Sequence, residues 1–553
     1  MIADITITEK SFGPKSLYKN LRFSIADGEK IGVVGRNGVG KSTLLGILAG
    51  TDTDFTGDII FRRGIHAVSS RQEHHEHETS SVIEYILGDL PEYAALHHII
   101  ESYPSMMGDD PKKIAIYTDA LERFSHLGYY HNQELIEEDL KNMQIPIERI
   151  KGKIGELSGG QKRLVEVVKI MHSNAHLALI DEPTNHMDYA AKQKFIDWMK
   201  SAQEAMLIIT HDRDVLAVVD RIIEIKDGSA EIYEGNYDQY LRQNAMSTTG
   251  AMNEYEVVQR QIANLRDKVI QFRRLKERAR DPDTIKQFKR REMQAKDELM
   301  KRESIPKPTF WIDKDSANSL GLKSGAQYEK FKAKNIRIHG AGAVQGHSKL
   351  LIDVQQISLS YGDGALFAPI SFQLREGERI ELRGRNGAGK TTLIRAMLDY
   401  LATGQIGRGI RVLGGIIEAD RGTSVGVYEQ EVSQELFDRT LHDAIEDIYL
   451  SRSLAITETK IRQLLSDYLF EPSDGLVPVR QLSGGQKSRL QLIAMMCNSP
   501  KLLILDEPTN HLDLPSIEEL ENAVKHYKGA VLYVSHDTYF QNAIGGEVIA
   551  VKK

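Results

Sequence analysis

Cysteine is nearly missing from this sequence. Of 553 residues only Cys497 is one, so no disulfide can form within the chain, which favours a reducing compartment. Long hydrophobic runs are missing too. Stretches such as "HLALI" and "AMLIIT" are strand-length, far short of the roughly 20 apolar residues that a membrane helix needs. The start, "MIADITITEK", has neither a basic segment nor an apolar one behind it, so a secretory signal is not expected. Net positive charge is lacking as well, the balance being −7, and any basic segment stands out against that background. What remains is ordinary for a globular protein: 41% apolar and 27% charged residues. The length exceeds what one hydrophobic core supports, so two or three domains are expected. The composition predicts a cytoplasmic protein that does not itself span a membrane.

The sequence repeats itself. "GRNGVGKS" at Gly35 to Ser42 returns as "GRNGAGKT" at Gly384 to Thr391. "LSGGQK" runs from Leu157 to Lys162 and again from Leu482 to Lys487, while "LALIDEPTNHMD" ends at Asp188 and "LLILDEPTNHLD" at Asp513. The separations match: Ser158 to Asp181 and Ser483 to Asp506 are both 23 residues, and Glu182 to His211 and Glu507 to His536 are both 29. Shared order and spacing imply a tandem duplication of about 200 residues per unit, one domain each. One interval differs. Gln72 to Ser158 is 86 residues and Gln430 to Ser483 only 53, so the first copy holds extra, helix-like sequence at about 85–150. That insertion reads equally as a neutral surface elaboration or as a contact arm.

G-x-x-x-x-G-K-[ST] is a phosphate cradle: its glycines let backbone N–H groups face phosphate oxygens at the start of a helix. Gly35, Asn37, Gly38, Gly40, Lys41, Ser42 and Thr43 form one, and Gly384, Asn386, Gly387, Gly389, Lys390, Thr391 and Thr392 the other. Each follows a short apolar strand and precedes a helical run, the context this motif requires. Lys41 and Lys390 are expected to reach the phosphates. Ser42 and Thr391, with Asp181 and Asp506 at the ends of apolar strands, are expected to hold Mg²⁺. Glu182 and Glu507 come next and suit orientation of an attacking water, and His211 and His536 follow a second apolar strand. Ser158, Gly159, Gly160 and Gln161, like Ser483, Gly484, Gly485 and Gln486, open helices that can also bind phosphate. Three histidines in "RQEHHEHETS" have no distant partner at metal-site spacing and read as a solvated loop.

Together these motifs make both halves resemble the ATP-binding cassette (ABC) ATPases. The implied fold is α/β: two tandem P-loop ATPase domains, 1–243 and 351–553. The resemblance implies intramolecular head-to-tail pairing, with Lys41, Glu182 and His211 facing Ser483, and Lys390, Glu507 and His536 facing Ser158. It implies that Gln72 and Gln430 are Q-loop residues near the metal, that Phe12 and Tyr361 stack on adenine, that Asp188 and Asp513 form D-loops, and that ATP and Mg²⁺ are the cofactors. With two cassettes in one chain, "DEPTNH" in both and a charged linker, the pattern looks like the ABC-F family of translation factors and antibiotic-resistance proteins. That implies binding to the ribosome, with the linker directed toward rRNA and peptidyl-tRNA at the peptidyl-transferase centre. An ATPase subunit of a transporter with separate membrane chains is the alternative.

The linker, 244–305, reads as an antiparallel helical hairpin, followed by a connecting segment at 306–350. Residues 251–280 lack glycine and proline, and Val258, Ile262, Leu265, Val269 and Phe272 recur at helical spacing. Asp281 and Pro282 suit a turn and a new helix start. Ile285, Phe288, Ala295 and Leu299 continue an apolar seam that Glu292 interrupts. Between 257 and 291 there are twelve Lys or Arg against four acids, too few to pair them all. Arg273, Arg274, Arg278, Arg280, Lys289 and Arg290 are the expected RNA contacts.

Overall fold

The computed structural model describes every residue except 13–14, 71–76, 107, 109, 186, 227, 279, 304–348, 363, 408, 429–431, 469, 471, 483, 511 and 553. The chain divides into two compact units: Met1–Tyr237 together with the C-terminal half, and the segment that starts at Asp238. No helix among the described residues is long and apolar enough to cross a membrane.

In the first unit each copy of the repeat builds two sheets. One is antiparallel and three-stranded, with Ala3–Phe12 between Lys15–Ile25 and Thr56–Phe61, and in the second copy Leu350–Ser360 between Ile370–Arg375 and Arg411–Ala419. The other is mainly parallel. In the first copy its order is Ala67–Ser69, Leu177–Asp181, Ala205–Ile209, Lys30–Gly35, Arg221–Lys226 and Ser229–Glu234, the last strand antiparallel. The second copy runs Val425–Tyr428, Leu502–Asp506, Ala530–Val534, Arg379–Arg383 and Glu547–Ala550, all parallel. Parallel strands are covered on both faces, which explains their unbroken apolar sequences: every residue of Leu177–Asp181 and Ala205–Ile209 is buried. Because these strands point one way, Gly35, Asp181 and Ile209 finish along one sheet edge. Ligands of open α/β sheets bind at such carboxyl ends.

The extra sequence of the first copy is a pair of helices, Tyr93–Met106 and Pro111–His126. Ser81 pairs with Lys153 where Thr440 pairs with Pro478 in the second copy, so the insertion enters and leaves between matching bridge positions of the repeat. Its helices are joined by rings: Tyr93 stacks on His97 at 5.3 Å and meets Phe124 at 5.5 Å, and Phe124 meets Tyr129 edge-on at 5.4 Å. Arg123 holds Glu92 through two hydrogen bonds of 3.0 and 2.8 Å.

The second unit contains a long helix, Tyr237–Arg278, and a return helix, Pro282–Glu303. The first begins earlier than residue 251 and passes through Gly250, because one glycine within a long helix costs only about 1 kcal/mol. The helices run antiparallel, with Lys276 against Glu292 near the turn and Gln261 against Arg302 further along. Ile262, Leu265 and Ala295 are buried between them. Glu292 is not an interruption of the seam. It is buried and accepts from Lys276 and, at 2.7 Å, from Lys296, and those hydrogen bonds pull its carboxyl down to about 2. Asp281 starts the return helix by accepting from the Thr284 N–H at 2.9 Å and the Thr284 hydroxyl at 2.7 Å. The segment at 306–350 lies outside the described residues except for its last two positions. Asp281→Ala is expected to cost about 1 kcal/mol of return-helix stability, seen as faster amide exchange over 282–285 with the outgoing helix unchanged.

Candidate active site

The two phosphate loops are built alike. Gly40, at φ +103°, and Gly389, at φ +90°, cap the helices Lys41–Leu48 and Lys390–Thr403 in the left-handed region. A Cβ on Gly40 would stand 2.7 Å from the Tyr18 hydroxyl, and one on Gly389 2.8 Å from the Phe367 ring. Only glycine fits. Tyr18 also donates to the Gly40 carbonyl, so a residue on the outer sheet holds the loop from behind. Lys41 and Lys390 are buried, and each ammonium donates at 2.7 Å to the first glycine of its loop, Gly35 or Gly384. Burial lowers the pKa of both.

Both catalytic-candidate glutamates sit on strained backbone, Glu182 at φ +46° and Glu507 at φ +49°. A non-glycine residue in this region costs of order 1–3 kcal/mol and marks functional sites. Here the conformation turns the carboxylates out of the strand ends toward His211 and His536, the switch histidines that open the switch segments 211–214 and 536–539. Glu182 lies 3.5 Å from His211, and Glu507 lies 3.1 Å from His536. Burial pushes each glutamate up to about 7 and each histidine down to about 3. Both imidazoles are therefore neutral at physiological pH, and both carboxyls sit where a proton is readily taken or given. Both ring nitrogens of His211 are buried with no hydrogen-bond partner among the described residues, a group free to meet a ligand oxygen. Thr391 donates to Asp506 at 2.9 Å, gathering two hard oxygens of the kind that Mg²⁺ selects. Ser42 and Asp181 line one cavity together.

That cavity, of about 520 Å³, lies between the two copies. Asn37, Ser42, Asp181, Glu182 and His211 reach it from the first, and Asn386, Glu507 and His536 from the second. Two aspartates cross the junction between the copies. Asp188 uses one oxygen to cap its own helix at the Ala191 N–H, 2.9 Å, and the other to accept from the Asn386 N–H of the opposite phosphate loop, 3.3 Å. Asp513 does the same, accepting from the Ser516 N–H at 3.2 Å and from the Asn37 N–H at 3.1 Å.

Other expected site residues are placed less directly. Thr392 donates to the Tyr361 hydroxyl at 3.4 Å, and the Tyr361 ring is exposed. Phe12 ends its strand opposite Lys15, but its ring lies outside the described residues, as do Gln72, Gln430 and Ser483. Ser158 and Gln161 cap the helix Gly159–His172 reciprocally, at 3.3 and 3.1 Å; among the described residues neither hydrogen-bonds to the opposite phosphate loop. Gly484 and Gln486 open the matching helix, Gly484–Met496. One residue that sequence reasoning missed is Arg163, which donates to the carbonyls of Asp181 and Glu182 at 3.0 and 2.7 Å. Only its place just after "LSGGQK" hinted at it.

The raised glutamate pKa values have a measurable consequence. A carboxyl raised from 4.5 to about 7 on folding favours the folded state below pH 4.5, and that contribution is lost as pH rises through 7. Exchanging Glu182 and Glu507 for Gln removes the loss, worth at most about 3 kcal/mol each. In the nucleotide-free protein the double variant is expected to melt higher than the parent at pH 8, with the gap nearly closed at pH 5.

Known proteins match over the same residues. A family model described as ABC transporter matches 18–185 and 367–510, and a second with that description matches 223–310. The ATP-binding protein YdiF of Bacillus subtilis is 31% identical over 99% of this chain and 80% of its own length. The ATP-binding protein Uup of Escherichia coli is 27% identical over 96% and 77%. Among solved structures, RNase-L Inhibitor is similar with a TM-score of 0.57 at 18% identity, covering 96% of this chain and 85% of its own. An archaeal ribosome recycling factor, solved in complex with a ribosomal stalk protein, is similar to the same degree over 84% of its length; both likenesses concern the fold. Paired phosphate loops, their carboxylates and the matches across both halves lead to one statement: this chain belongs to the ATP-binding cassette family, as a tandem-cassette ATPase of the ABC-F type.

Proposed function

We propose that this ATPase closes its two cassettes on ATP, binds the ribosome in that state, and leaves after hydrolysis. The observation that carries the ribosomal part is the hairpin turn. Arg273, Arg274, Arg278, Arg280, Lys289 and Arg290 are all exposed. Of these only Arg273 has an acid nearby, Glu277 at 3.5 Å, among the described residues. Exposed cations, all but Arg273 without an acid nearby among the described residues, on a helical hairpin of an acidic protein suit a dense phosphate backbone. rRNA and peptidyl-tRNA at the peptidyl-transferase centre supply one, in the cytoplasm. The outcome for the ribosome is regulation or rescue of translation, or protection against ribosome-targeting antibiotics. Two solved structures of similar fold are named for ribosome work, one of a ribosome recycling factor and one of a ribosome-bound complex, in keeping with this reading.

In this mechanism the cassettes pair head to tail. Ser483 with its glycines closes over the nucleotide held by Lys41, and Ser158 over the one held by Lys390. The crossed bonds of Asp188 and Asp513 support that pairing. Ser42 with Asp181 and Thr391 with Asp506 would hold Mg²⁺, with Gln72 and Gln430 beside it. The ion neutralises developing phosphate charge when bound. Glu182 and Glu507 orient the attacking water, and neutral His211 and His536 donate to the γ-phosphate.

A transport ATPase gives the basic hairpin no role, so the hairpin discriminates. Glu182→Gln with Glu507→Gln should co-sediment with ribosomes in ATP but not in ADP. A double variant that stays free in ATP would contradict the mechanism. Reversing Arg273, Arg274, Arg278 and Arg280 to Glu in that trapped variant should abolish co-sedimentation while nucleotide binding by the cassettes persists.

A further inference from the structure

A tandem repeat predicts a symmetric junction, and at the crossed aspartates it is one. One helical turn further on, the symmetry fails. The offset that takes Asp188 to Asp513 and His211 to His536 takes Lys192 to Ile517, Arg213 to Thr538, Asp214 to Tyr539 and Ile196 to Glu521. The first cassette brings two cations to the junction, and the second brings none at those positions.

Those cations are sunk in the interface. Lys192 is 3% exposed and Arg213 4%. Burying an ammonium is tolerated only when its charge and all three N–H donors are matched, and Lys192 matches them. It meets Asp214 at 2.6 Å and Asp212 at 3.3 Å within its own cassette. Its remaining contact crosses over: it donates at 2.7 Å to the backbone carbonyl of His536. Around this point the two switch segments are tied together. Arg213 pairs with Asp537 at 2.9 Å and with Glu521, and lies 4.8 Å from the Tyr539 ring centre. Thr538 donates to Asp214 at 2.5 Å. At the mirror position Ile517 lines the same cavity but has no donor to offer the His211 carbonyl.

We infer that Lys192 is a positioning residue acting across the junction on the Glu507–His536 site, and that it makes the two ATP sites unequal. It fixes the backbone that carries the switch imidazole of the second cassette. The matching backbone of the first cassette faces Ile517 across the same cavity, a side chain with no donor. Burial and the Lys390 charge suppress protonation of His536, Asp188 opposes them, and the Lys192 charge adds a smaller contribution of the same sign as Lys390. Turnover at the Glu507 site thus depends on the first cassette being in place to supply the lysine, whereas turnover at the Glu182 site needs no such donor from the second. The two switch segments share Asp214 and Asp537, so release at one site is felt at the other.

This inference rests on the assignment of Glu182 and Glu507 to hydrolysis proposed above, and the test separates the two. Single-turnover ADP formation is measured with full-length protein in excess over ATP, in Glu182→Gln (only the Glu507 site active) and in Glu507→Gln (only the Glu182 site active). Lys192→Ile, the residue of the mirror position, should slow the maximal rate at least tenfold in Glu182→Gln. It should change that rate less than twofold in Glu507→Gln and leave the half-saturating concentration within twofold in both. Lys192→Arg should restore most of the rate, which a mere packing role would not predict. Because Lys192→Ile strands two acids, Lys192→Ile with Asp214→Asn is measured beside it and must show the same split. Equal loss in both backgrounds, no loss in Glu182→Gln, a change confined to half-saturation, or a background that makes no ADP would each overturn the inference. If both single Glu→Gln variants turn over like the parent, the glutamate assignment fails and takes this inference with it.

Discussion

Everything in the paired cassettes depends on two aspartates that each serve two masters. Asp188 and Asp513 spend one oxygen on starting their own helix and the other on a backbone N–H of the opposite phosphate loop. A carboxylate so used fixes three things together: the angle of its helix, the position of the facing loop, and the width of the cavity between them. Both are almost wholly buried, so neither bond competes with bulk water, and a buried acceptor that lost its donor would carry a large penalty. The glutamates on left-handed backbone and the neutral histidines are held in this frame. The strain stored at Glu182 and Glu507 persists because the surrounding strands and loops over-determine their positions.

The frame also explains why symmetry stops where it does. Close to the phosphate loops the two copies must present the same groups to the same ligand. Beyond that, only the junction's own packing constrains the sequence. The first copy places Lys192 and Arg213 there, and the second answers with Glu521 and Asp537. Duplication followed by divergence at such a junction yields two sites of one chemistry and different mechanical settings.

Much of this was legible in the sequence, for reasons that can be named. Phosphate loops, strand-end carboxylates and switch histidines are local patterns, and the repeat doubles each of them. Asp281 could be read as a cap because a cap needs only its own next few residues. What escaped reading depends on distant partners. Glu292 looked like a fault in an apolar seam, yet its partner Lys276 lies on the other helix. Arg163 gave no sign that it braces Asp181 and Glu182. Tyr18 was invisible as the prop behind Gly40, since a strand residue with an aromatic ring is ordinarily just core. The asymmetry at Lys192 could be seen only once the two copies were placed face to face.

Each phosphate loop is held by the other cassette's aspartate. Amide hydrogen exchange at Asn37 and Asn386 in single-aspartate variants tests it most directly. Asp513→Ala should speed exchange at Asn37 and spare Asn386, and Asp188→Ala should do the reverse. If each substitution instead loosens the loop of its own cassette, or neither amide responds, the crossed frame is wrong.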